Sequence, residues 1–228
     1  MRRLATAVMR IARTLVTAML AGAALAGAPL GSAALASDRP LRIVAFGDSL
    51  TAGYGLPADS AFPAKLAQAL AAKGIATEIA NAGVSGDTTS GGLARLDWSI
   101  PDGTEAVILE LGANDALRGV DPKLTRGALE AMLERLEARH IPVLLAGMLA
   151  PRNMGPDYGA EFDAIYPDLA KKYGAILYPF FLDGVAADPK LNQRDGLHPS
   201  AAGVDVIVAK MLPAVEQLAA AAKAARSP

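Results

Sequence analysis

The chain has 228 residues, of which 52% are hydrophobic and 20% charged, with a formal net charge of −1 and no cysteine. Without cysteine it can form neither a disulfide framework nor a lipid-modified N-terminal cysteine. Beyond its N-terminal segment the length suits a single core, so we expect one domain over residues 37–228.

The first 36 residues have the pattern of a cleaved secretory signal peptide. Four arginines lie between positions 2 and 13, an alanine-rich apolar run covers 15–30, and Ala34 and Ala36 form an A-x-A cleavage pattern before Ser37. The apolar run is shorter than the roughly 20 residues that span a bilayer. The sequence therefore predicts cleavage after Ala36 and a periplasmic or secreted protein with no stable membrane anchor.

Cleavage at that position also changes the charge balance. It removes four of the 22 basic residues and none of the 23 acidic ones, which leaves a net charge of about −5. Proteins that bind nucleic acids carry a basic patch on the binding face. We therefore expect no nucleic-acid partner.

The first predicted strand, 41–46, runs directly into Gly47, Asp48 and Ser49. Its continuous apolar residues are typical of a strand buried on both faces, and Gly47 favours a sharp turn at its end. Open α/β sheets bind ligands at the carboxyl ends of their strands, so Ser49 is a candidate nucleophile. The alternative is an ordinary turn, since glycine, aspartate and serine all favour turns.

Two further predicted strands, 77–80 and 105–111, also lead into turns that contain glycine. Acyl transfer at a serine forms a tetrahedral oxyanion that needs several hydrogen-bond donors. The N–H of Gly86 can approach a substrate closely because glycine has no Cβ, and the carboxamide of Asn114 can donate as well. The alternatives are a helix start just after Gly86 and a simple turn at Asn114.

The fourth predicted strand, 141–147, is followed by a loop of apolar and turn-forming residues. Because this loop follows a strand, we expect it at the same sheet edge as Ser49. Methionine adapts to irregular shapes, so the loop is suited to cover an acyl chain. The candidate substrate contacts are Met148, Leu149, Met154 and Tyr158. The alternative is that these side chains only pack the loop onto the core.

Asp195 and His198 lie three positions apart near the end of the chain. A serine nucleophile needs a base that is oriented by a third group. A single turn can bring the carboxylate to Nδ1 of the imidazole and leave Nε2 free to face Ser49, while Pro199 restricts the backbone of His198. The alternative is a helix start signal, which is compatible with a catalytic role.

Strands and helices alternate along the whole chain. A fifth strand is expected near 175–178, and helices are expected near 61–73, 87–97, 122–139, 158–173 and 200–222. The helix at 122 has a clear start signal, because Asp121 is followed by Pro122. This order predicts an α/β fold: a three-layer, doubly wound, flavodoxin-like sheet of about five parallel strands in the order 2-1-3-4-5.

Four sequence blocks, FGDSLTAGYG, NAGVSGDTT, LGAND and DGLHP, occur in this order. Together they resemble the SGNH (GDSL) hydrolase superfamily, in particular its bacterial branch of arylesterases and the multifunctional thioesterase I/lysophospholipase. The resemblance covers about residues 41–218. It implies the SGNH hydrolase fold, a catalytic triad of Ser49, Asp195 and His198, and an oxyanion hole formed by Ser49, Gly86 and Asn114.

The function that these residues predict is an exported serine esterase. It would hydrolyse carboxylic esters or thioesters, including aryl and acyl esters, acyl-CoA or lysophospholipid, through an acyl-enzyme. This scheme requires no metal or cofactor, and the sequence contains no Cys/His ligand cluster. We expect a monomer that acts on a small-molecule ester or lipid-like substrate.

Two other functions stay open at this point. A carbohydrate O-acetylesterase of the same superfamily is disfavoured only weakly, because Trp98 is the one tryptophan available as a sugar platform. A non-catalytic flavodoxin-like binding protein has no need for a serine, oxyanion donors and an Asp–His pair at once. The G-x-S-x-G motif of α/β-hydrolases occurs neither at Ser49 nor at Ser85.

Overall fold

A five-stranded parallel sheet lies at the centre of the computed structural model, which describes residues 39–226. The predicted signal peptide, 1–36, lies outside the described residues. The strands are β1 (Leu41–Gly47), β2 (Thr77–Gly83), β3 (Ala106–Glu110), β4 (Val143–Ala146) and β5 (Ile176–Tyr178). Their order in the sheet is β2-β1-β3-β4-β5, and every pair is parallel. This confirms the predicted α/β fold and strand order.

The burial of each strand follows from its place in the sheet. All five residues of β3 and all four of β4 are buried, and only one of the seven residues of β1 is exposed. β2 lies at the edge, and exposed residues are interspersed along it. Central parallel strands are covered by helices on both faces, which explains their continuous apolar sequences.

Eight α-helices and two 3₁₀ turns connect the strands within the described residues. The helices are α1 (Ser49–Ala52), α2 (Phe62–Ala72), α3 (Thr89–Ser99), α4 (Ala113–Arg118), α5 (Pro122–Ala138), α6 (Pro156–Asp163), α7 (Ile165–Tyr173) and α8 (Ala201–Ala225). The 3₁₀ turns are Ala58–Ser60 and Arg152–Met154. α2 packs against α8, whereas α3 and α7 pack against α5. For this strand order, the general preference for right-handed crossovers predicts that the two groups lie on opposite faces of the sheet.

One predicted helix is divided in the structure. The single helix expected near 158–173 is two helices, α6 and α7, separated at Ala164. Pro167 explains the break, because it has no N–H to donate to the carbonyl of Asp163 four residues earlier. In contrast, α5 begins at Pro122 as predicted, and the side chain of Asp121 accepts the Lys123 N–H at 2.9 Å.

The amino ends of the strands are held by a cluster of charged groups. Glu105, which precedes β3, accepts hydrogen bonds from the guanidinium groups of Arg226 (2.6 Å) and Arg39 (2.8 Å). Arg226 also donates to the carbonyl of Pro40. The pKa of Glu105 is lowered to about 2, first by the Arg226 hydrogen bond. This cluster therefore joins the end of α8 to the segment that enters β1.

No helix among residues 39–226 is long and apolar enough to cross a bilayer.

Candidate active site

Ser49 is the first residue of α1, and Asp48 alone separates it from the end of β1. Asp48 caps this helix, and its Oδ1 accepts the Leu50 N–H at 2.9 Å. A Cβ at Gly47 would lie 2.1 Å from Thr51 Oγ1 and 2.5 Å from the Glu110 carbonyl oxygen. Position 47 therefore requires glycine because Thr51 and Glu110 leave no room for a Cβ, apart from any role of glycine in the turn.

The structure brings Ser49, His198 and Asp195 into one hydrogen-bonded row. His198 Nε2 lies 2.9 Å from Ser49 Oγ, and His198 Nδ1 lies 2.7 Å from Asp195 Oδ2. Asp195 Oδ1 accepts the backbone N–H groups of His198 and Leu197, and these bonds lower the pKa of Asp195 to about 2. When the imidazole carries its proton on Nδ1, the Asp195 carboxylate accepts that N–H and Nε2 is the acceptor that faces Ser49 Oγ.

A glutamine and a tyrosine hold the loop that carries His198. The side chain of Gln193 donates to the carbonyls of Tyr54 (2.7 Å) and Pro199 (3.0 Å), and its backbone N–H donates to the His198 carbonyl at 2.7 Å. The ring of Tyr54 lies against the imidazole, with 4.6 Å between their centroids. These contacts join the loop to the turn that follows α1.

Asn114, the second residue of α4, lies beside Asp48. Its Nδ2 donates one hydrogen bond to Asp48 Oδ2 at 3.0 Å, which leaves the second N–H of the carboxamide available. Asp48 is fully buried, and burial raises its pKa to about 6 although the Leu50 and Asn114 hydrogen bonds oppose this shift. Asp48 therefore links the serine turn to the predicted oxyanion donor.

Gly86 lies in the exposed turn that follows β2, with a positive φ of 83°. Its carbonyl accepts a hydrogen bond from Arg118 at the end of α4 (2.8 Å). Within residues 39–226, the backbone N–H groups of Gly86 and Ser49 donate no hydrogen bond. Each of the three predicted oxyanion donors, Ser49, Gly86 and Asn114, therefore has an N–H group without a partner in this part of the chain.

A buried arginine on α3 connects the two turns. Arg95 donates to the carbonyls of Gly47 (2.8 Å) and Ala82 (2.9 Å) and to the carboxylate of Asp87 (2.7 Å). Its guanidinium also lies 4.1 Å from the centre of the Phe46 ring. Arg95 therefore holds the strand ends that precede Ser49 and Gly86. The alternative expectation at Gly86 is a helix start with Asp87 as its cap; in the structure Thr88 caps α3, and Asp87 binds Arg95.

The serine opens into an apolar cleft with a volume of about 540 Å³. Ser49, Asn114 and His198 lie in its wall, and most other wall residues are apolar: Leu50, Ala113, Ala116, Leu117, Met148, Leu149, Ala150, Pro151, Phe180, Leu182, Ala186, Ala187 and Leu197. A cleft of this size and composition is typical of small-molecule sites.

The predicted substrate loop is divided between this cleft and the protein body. Met148 and Leu149 line the cleft, whereas Met154 and Tyr158 do not. Met154 lies against Gly119, and Tyr158 donates to the carbonyl of Val120 at 2.9 Å. For these last two residues the geometry matches the alternative expectation, in which they pack the loop onto its neighbours.

The arrangement of these groups agrees with a comparison to known protein families. The model of the GDSL-like lipase/acylhydrolase family matches residues 45–206, which contain all the site residues described above. The chain belongs to this family.

Individual relatives in the GDSL-like family are similar over most of their length. The chain is 39% identical to an arylesterase of Vibrio mimicus over 72% of this chain and 82% of that protein. It is 40% identical to thioesterase 1/protease 1/lysophospholipase L1 of Escherichia coli K12 over 69% of this chain and 75% of that protein. The crystal structure of AlinE4, an SGNH-hydrolase family esterase, is 51% identical with a TM-score of 0.67, covering 78% and 96% of the two chains.

The protein is therefore a carboxylic ester hydrolase of the GDSL-like family. Sequence reasoning did not identify Arg95, Gln193 or Tyr54, each of which supports the site through contacts to distant parts of the chain. The contacts of Arg95 with Gly47 and of Gln193 with Tyr54 span 48 and 139 positions. Arg95 is the one charged residue on the buried face of α3, and a buried arginine must find acceptors.

Proposed function

We propose that the protein is an exported serine esterase that hydrolyses carboxylic esters and thioesters through an acyl-enzyme. Ser49 is the nucleophile, His198 the general base and Asp195 the group that orients the imidazole. The observation that carries this proposal is the hydrogen-bonded row Ser49–His198–Asp195, with distances of 2.9 and 2.7 Å, at the wall of an apolar cleft.

Acylation follows from this geometry. Ser49 Oγ forms a bond to the carbonyl carbon of the substrate while its proton passes to His198 Nε2. The carbonyl oxygen gains negative charge, and the N–H groups of Ser49, Gly86 and Asn114 donate to it. The bond from carbon to the leaving oxygen or sulfur then breaks, and the leaving group takes the proton from Nε2. Water releases the acid by the same steps, with its proton passing through His198.

The composition of the cleft supports an acyl chain as its occupant. Each CH₂ group removed from water contributes roughly 0.8 kcal/mol, so a chain in the cleft favours medium-length substrates over acetate. Aryl esters, thioesters and lysophospholipids are the substrate classes to which the names of the relatives point, and acyl-CoA is one such thioester. The signal-peptide pattern of residues 1–36 supports export to the periplasm or the medium.

The nucleophile is tested by covalent labelling. An organophosphonate should modify Ser49, and Ser49→Ala should abolish both labelling and turnover. Ser85→Ala is the matched control, since Ser85 is an exposed serine in the turn at Gly86. This variant should be labelled and should turn over substrate like the native protein, and Ser85 itself should never be labelled. Modification of Ser85, or substantial turnover by Ser49→Ala, contradicts the assignment.

The acyl chain is tested with p-nitrophenyl esters from acetate to palmitate, with acyl-CoA and lysophospholipid assayed beside them. In the native protein kcat/KM should rise severalfold per two carbons until the cleft is full. Leu149→Ser, in the cleft wall, should flatten this rise and retain activity on acetate. Met154→Ser is the control outside the wall and should leave the profile unchanged. A native profile that peaks at acetate would instead favour the carbohydrate O-acetylesterase.

A further inference from the structure

A buried glutamate lies beneath the turn that carries Ser49. Glu110, the last residue of β3, is fully buried. Its Oε2 accepts hydrogen bonds from the Thr51 hydroxyl at 2.7 Å and from the Asp48 N–H at 3.4 Å. These two donors lie on either side of Ser49 in the sequence. The carboxyl group therefore contacts the backbone that fixes the serine without touching the serine itself.

The other oxygen of this carboxyl group has no partner. Glu110 Oε1 is buried and makes no hydrogen bond within residues 39–226. Glu110 forms no ion pair within residues 39–226, and the buried Arg95 binds Asp87 and two carbonyls. The other titratable groups that face it are the buried side chains of Asp48 and Tyr166.

An unpaired carboxylate in such a place is costly, whereas a protonated carboxyl is not charged and needs fewer partners. Burial, followed by the nearby charge of Asp48, raises the pKa of Glu110 well above its usual range. Since Oε2 accepts two hydrogen bonds, the proton is assigned to Oε1. The orphaned oxygen is thus a hydroxyl group without an acceptor and not an uncompensated charge.

We propose that Glu110 is a positioning residue that acts as an uncharged carboxylic acid, holding Thr51 and Asp48 so that Ser49 and Asn114 keep their places. The route to Asn114 runs through Asp48, whose Oδ2 accepts the Asn114 carboxamide. The catalytic roles of Ser49 and Asn114 are part of the proposed function, so this inference rests on that function.

The first test compares a neutral isostere with an apolar replacement. In Glu110→Gln an amide oxygen can still accept from Thr51 and Asp48, so kcat for a p-nitrophenyl ester should stay within about threefold of the native value. Glu110→Leu and Thr51→Val remove the contact, and a displaced serine should lower kcat by about 10- to 100-fold with KM within about twofold. The rate of Ser49 labelling by the organophosphonate should fall in parallel.

Two results would overturn the proposal. If Glu110→Gln loses as much kcat as Glu110→Leu, a negative charge is required. If Glu110→Leu and Thr51→Val both keep the native kcat, Glu110 positions nothing. Should Glu110→Leu fail to fold, Glu110→Gln and Thr51→Val decide. Ser49→Ala distinguishes failure of the proposed function from failure of this inference. Substantial turnover by Ser49→Ala refutes the proposed function. If Ser49→Ala is inactive but the Thr51 and Glu110 variants keep the native kcat, only this inference is refuted.

The second test measures melting temperature against pH. A carboxyl whose folded pKa is raised stabilises the fold fully below its unfolded value, and this contribution is lost as the pH rises toward the folded value. Glutamine does not titrate, so the melting temperature of Glu110→Gln relative to the native protein should increase from about pH 5 to pH 8. Glu78→Gln, at an exposed position on β2, gives the baseline for loss of a surface carboxylate. A difference that stays constant over this range refutes an uncharged Glu110.

Discussion

Ser49 and His198 belong to the same hydrogen-bonded row but are held in different ways. Ser49 follows the strand β1, which pairs with a strand on each side, and the neighbouring Asp48 and Thr51 are fully or almost fully buried. His198 stands in an irregular loop, and the side chain of its partner Asp195 is 38% exposed. Ser49 is thus fixed by the protein core, whereas His198 is fixed by local hydrogen bonds.

This difference separates stability from catalysis. A change beneath Ser49 disturbs buried polar groups that have no access to water, so it affects folding as well as turnover. A change in the His198 loop exposes its groups to water, which can replace the lost hydrogen bonds. We therefore expect mutations around the serine to lower both stability and activity, and mutations around the histidine to lower activity with only a small loss of stability.

The largest effect should come from the two reacting side chains themselves. Ser49→Ala and His198→Ala should each lower kcat by on the order of 10⁴- to 10⁶-fold, and the double variant should be little worse, because the groups act as one unit. Steady-state kinetics measure the loss, and circular dichroism should show native folding in all three variants. Additive losses in the double variant would mean that the two residues do not act together.

Arg95→Met should cause the largest loss of stability. It leaves the Gly47 and Ala82 carbonyls and the Asp87 carboxylate without their buried donor, at a cost of about 3–5 kcal/mol in the free energy of unfolding. Denaturant titration measures this cost. Arg135→Met, which breaks an ion pair with Asp97 at the surface, is the control and should cost less than about 1 kcal/mol. Equal losses in the two variants would show that the buried contacts of Arg95 contribute no more to stability than a surface ion pair does.

Asn114→Ala tests a donor that lies between the two regions. Loss of one oxyanion donor lowers kcat by on the order of 10²- to 10³-fold, or about 2.7–4 kcal/mol, with little change in ground-state binding. KM should therefore stay nearly constant. Asn153→Ala, at an exposed position in the second 3₁₀ turn, serves as the control. If the main effect of Asn114→Ala is a large fall in melting temperature, Asn114 is a structural turn residue.

Gln193→Ala should affect turnover more than stability. It releases the bonds to Tyr54 and Pro199, so the imidazole loses orientation and kcat should fall about 10-fold. Since the groups it frees lie in a partly exposed loop, the free energy of unfolding should change by about 1 kcal/mol or less. Gln217→Ala on the exposed side of α8 is the matched control. A loss of several kcal/mol would show that the His198 loop contributes to folding stability as much as the turn around Ser49 does.

The smallest effects, seen in melting temperature against pH, should have opposite slopes for the two regions. Asp195 stabilises the fold above its unfolded pKa near 3.8, and this contribution is lost as the pH falls through about 2. The uncharged form of Asp48 stabilises the fold fully below its unfolded pKa of 3.8, and this contribution is lost as the pH rises through its folded pKa of about 6. The deficit of Asp195→Asn should therefore shrink in acid, whereas Asp48→Asn should gain on the native protein between about pH 4 and 7. If the melting-temperature differences of both variants change with pH in the same direction, the two regions do not differ in this way.

The sequence predicts the sheet well because its strands are short, apolar and followed by recognisable turns. The order 2-1-3-4-5 follows from regular alternation of strands and helices. The helices α1 and α4 were not predicted, since four and six residues are too few to show a helical period. Their start sites coincide with the GDS and GAND motifs, so the same residues carry chemistry and end a strand.

For the candidate site, the sequence points to Ser49, Asp195 and His198 but not to the residues that support them. These three residues lie in short motifs, and the structure brings their side chains within hydrogen-bond distance of one another, while their catalytic roles stay a prediction. Arg95, Glu110 and Gln193 have no such motif, because each acts through groups that only the folded chain brings near. The division of the loop 148–158 between cleft and core was likewise unpredictable, since both positions require apolar side chains.

The cluster at Glu105 has a consequence for how the protein can be handled. Residues 39 and 226 lie side by side at the amino ends of the strands, whereas Ser49 lies at the carboxyl end of β1, about 20 Å away along a seven-residue strand. A carrier fused beyond residue 226, or a solid support attached there, would lie on the side of the sheet remote from the cleft and leave its mouth open to substrate. The same proximity would let a short peptide join residue 226 to residue 39, so that new termini could be opened in a surface loop without parting Ser49 from His198.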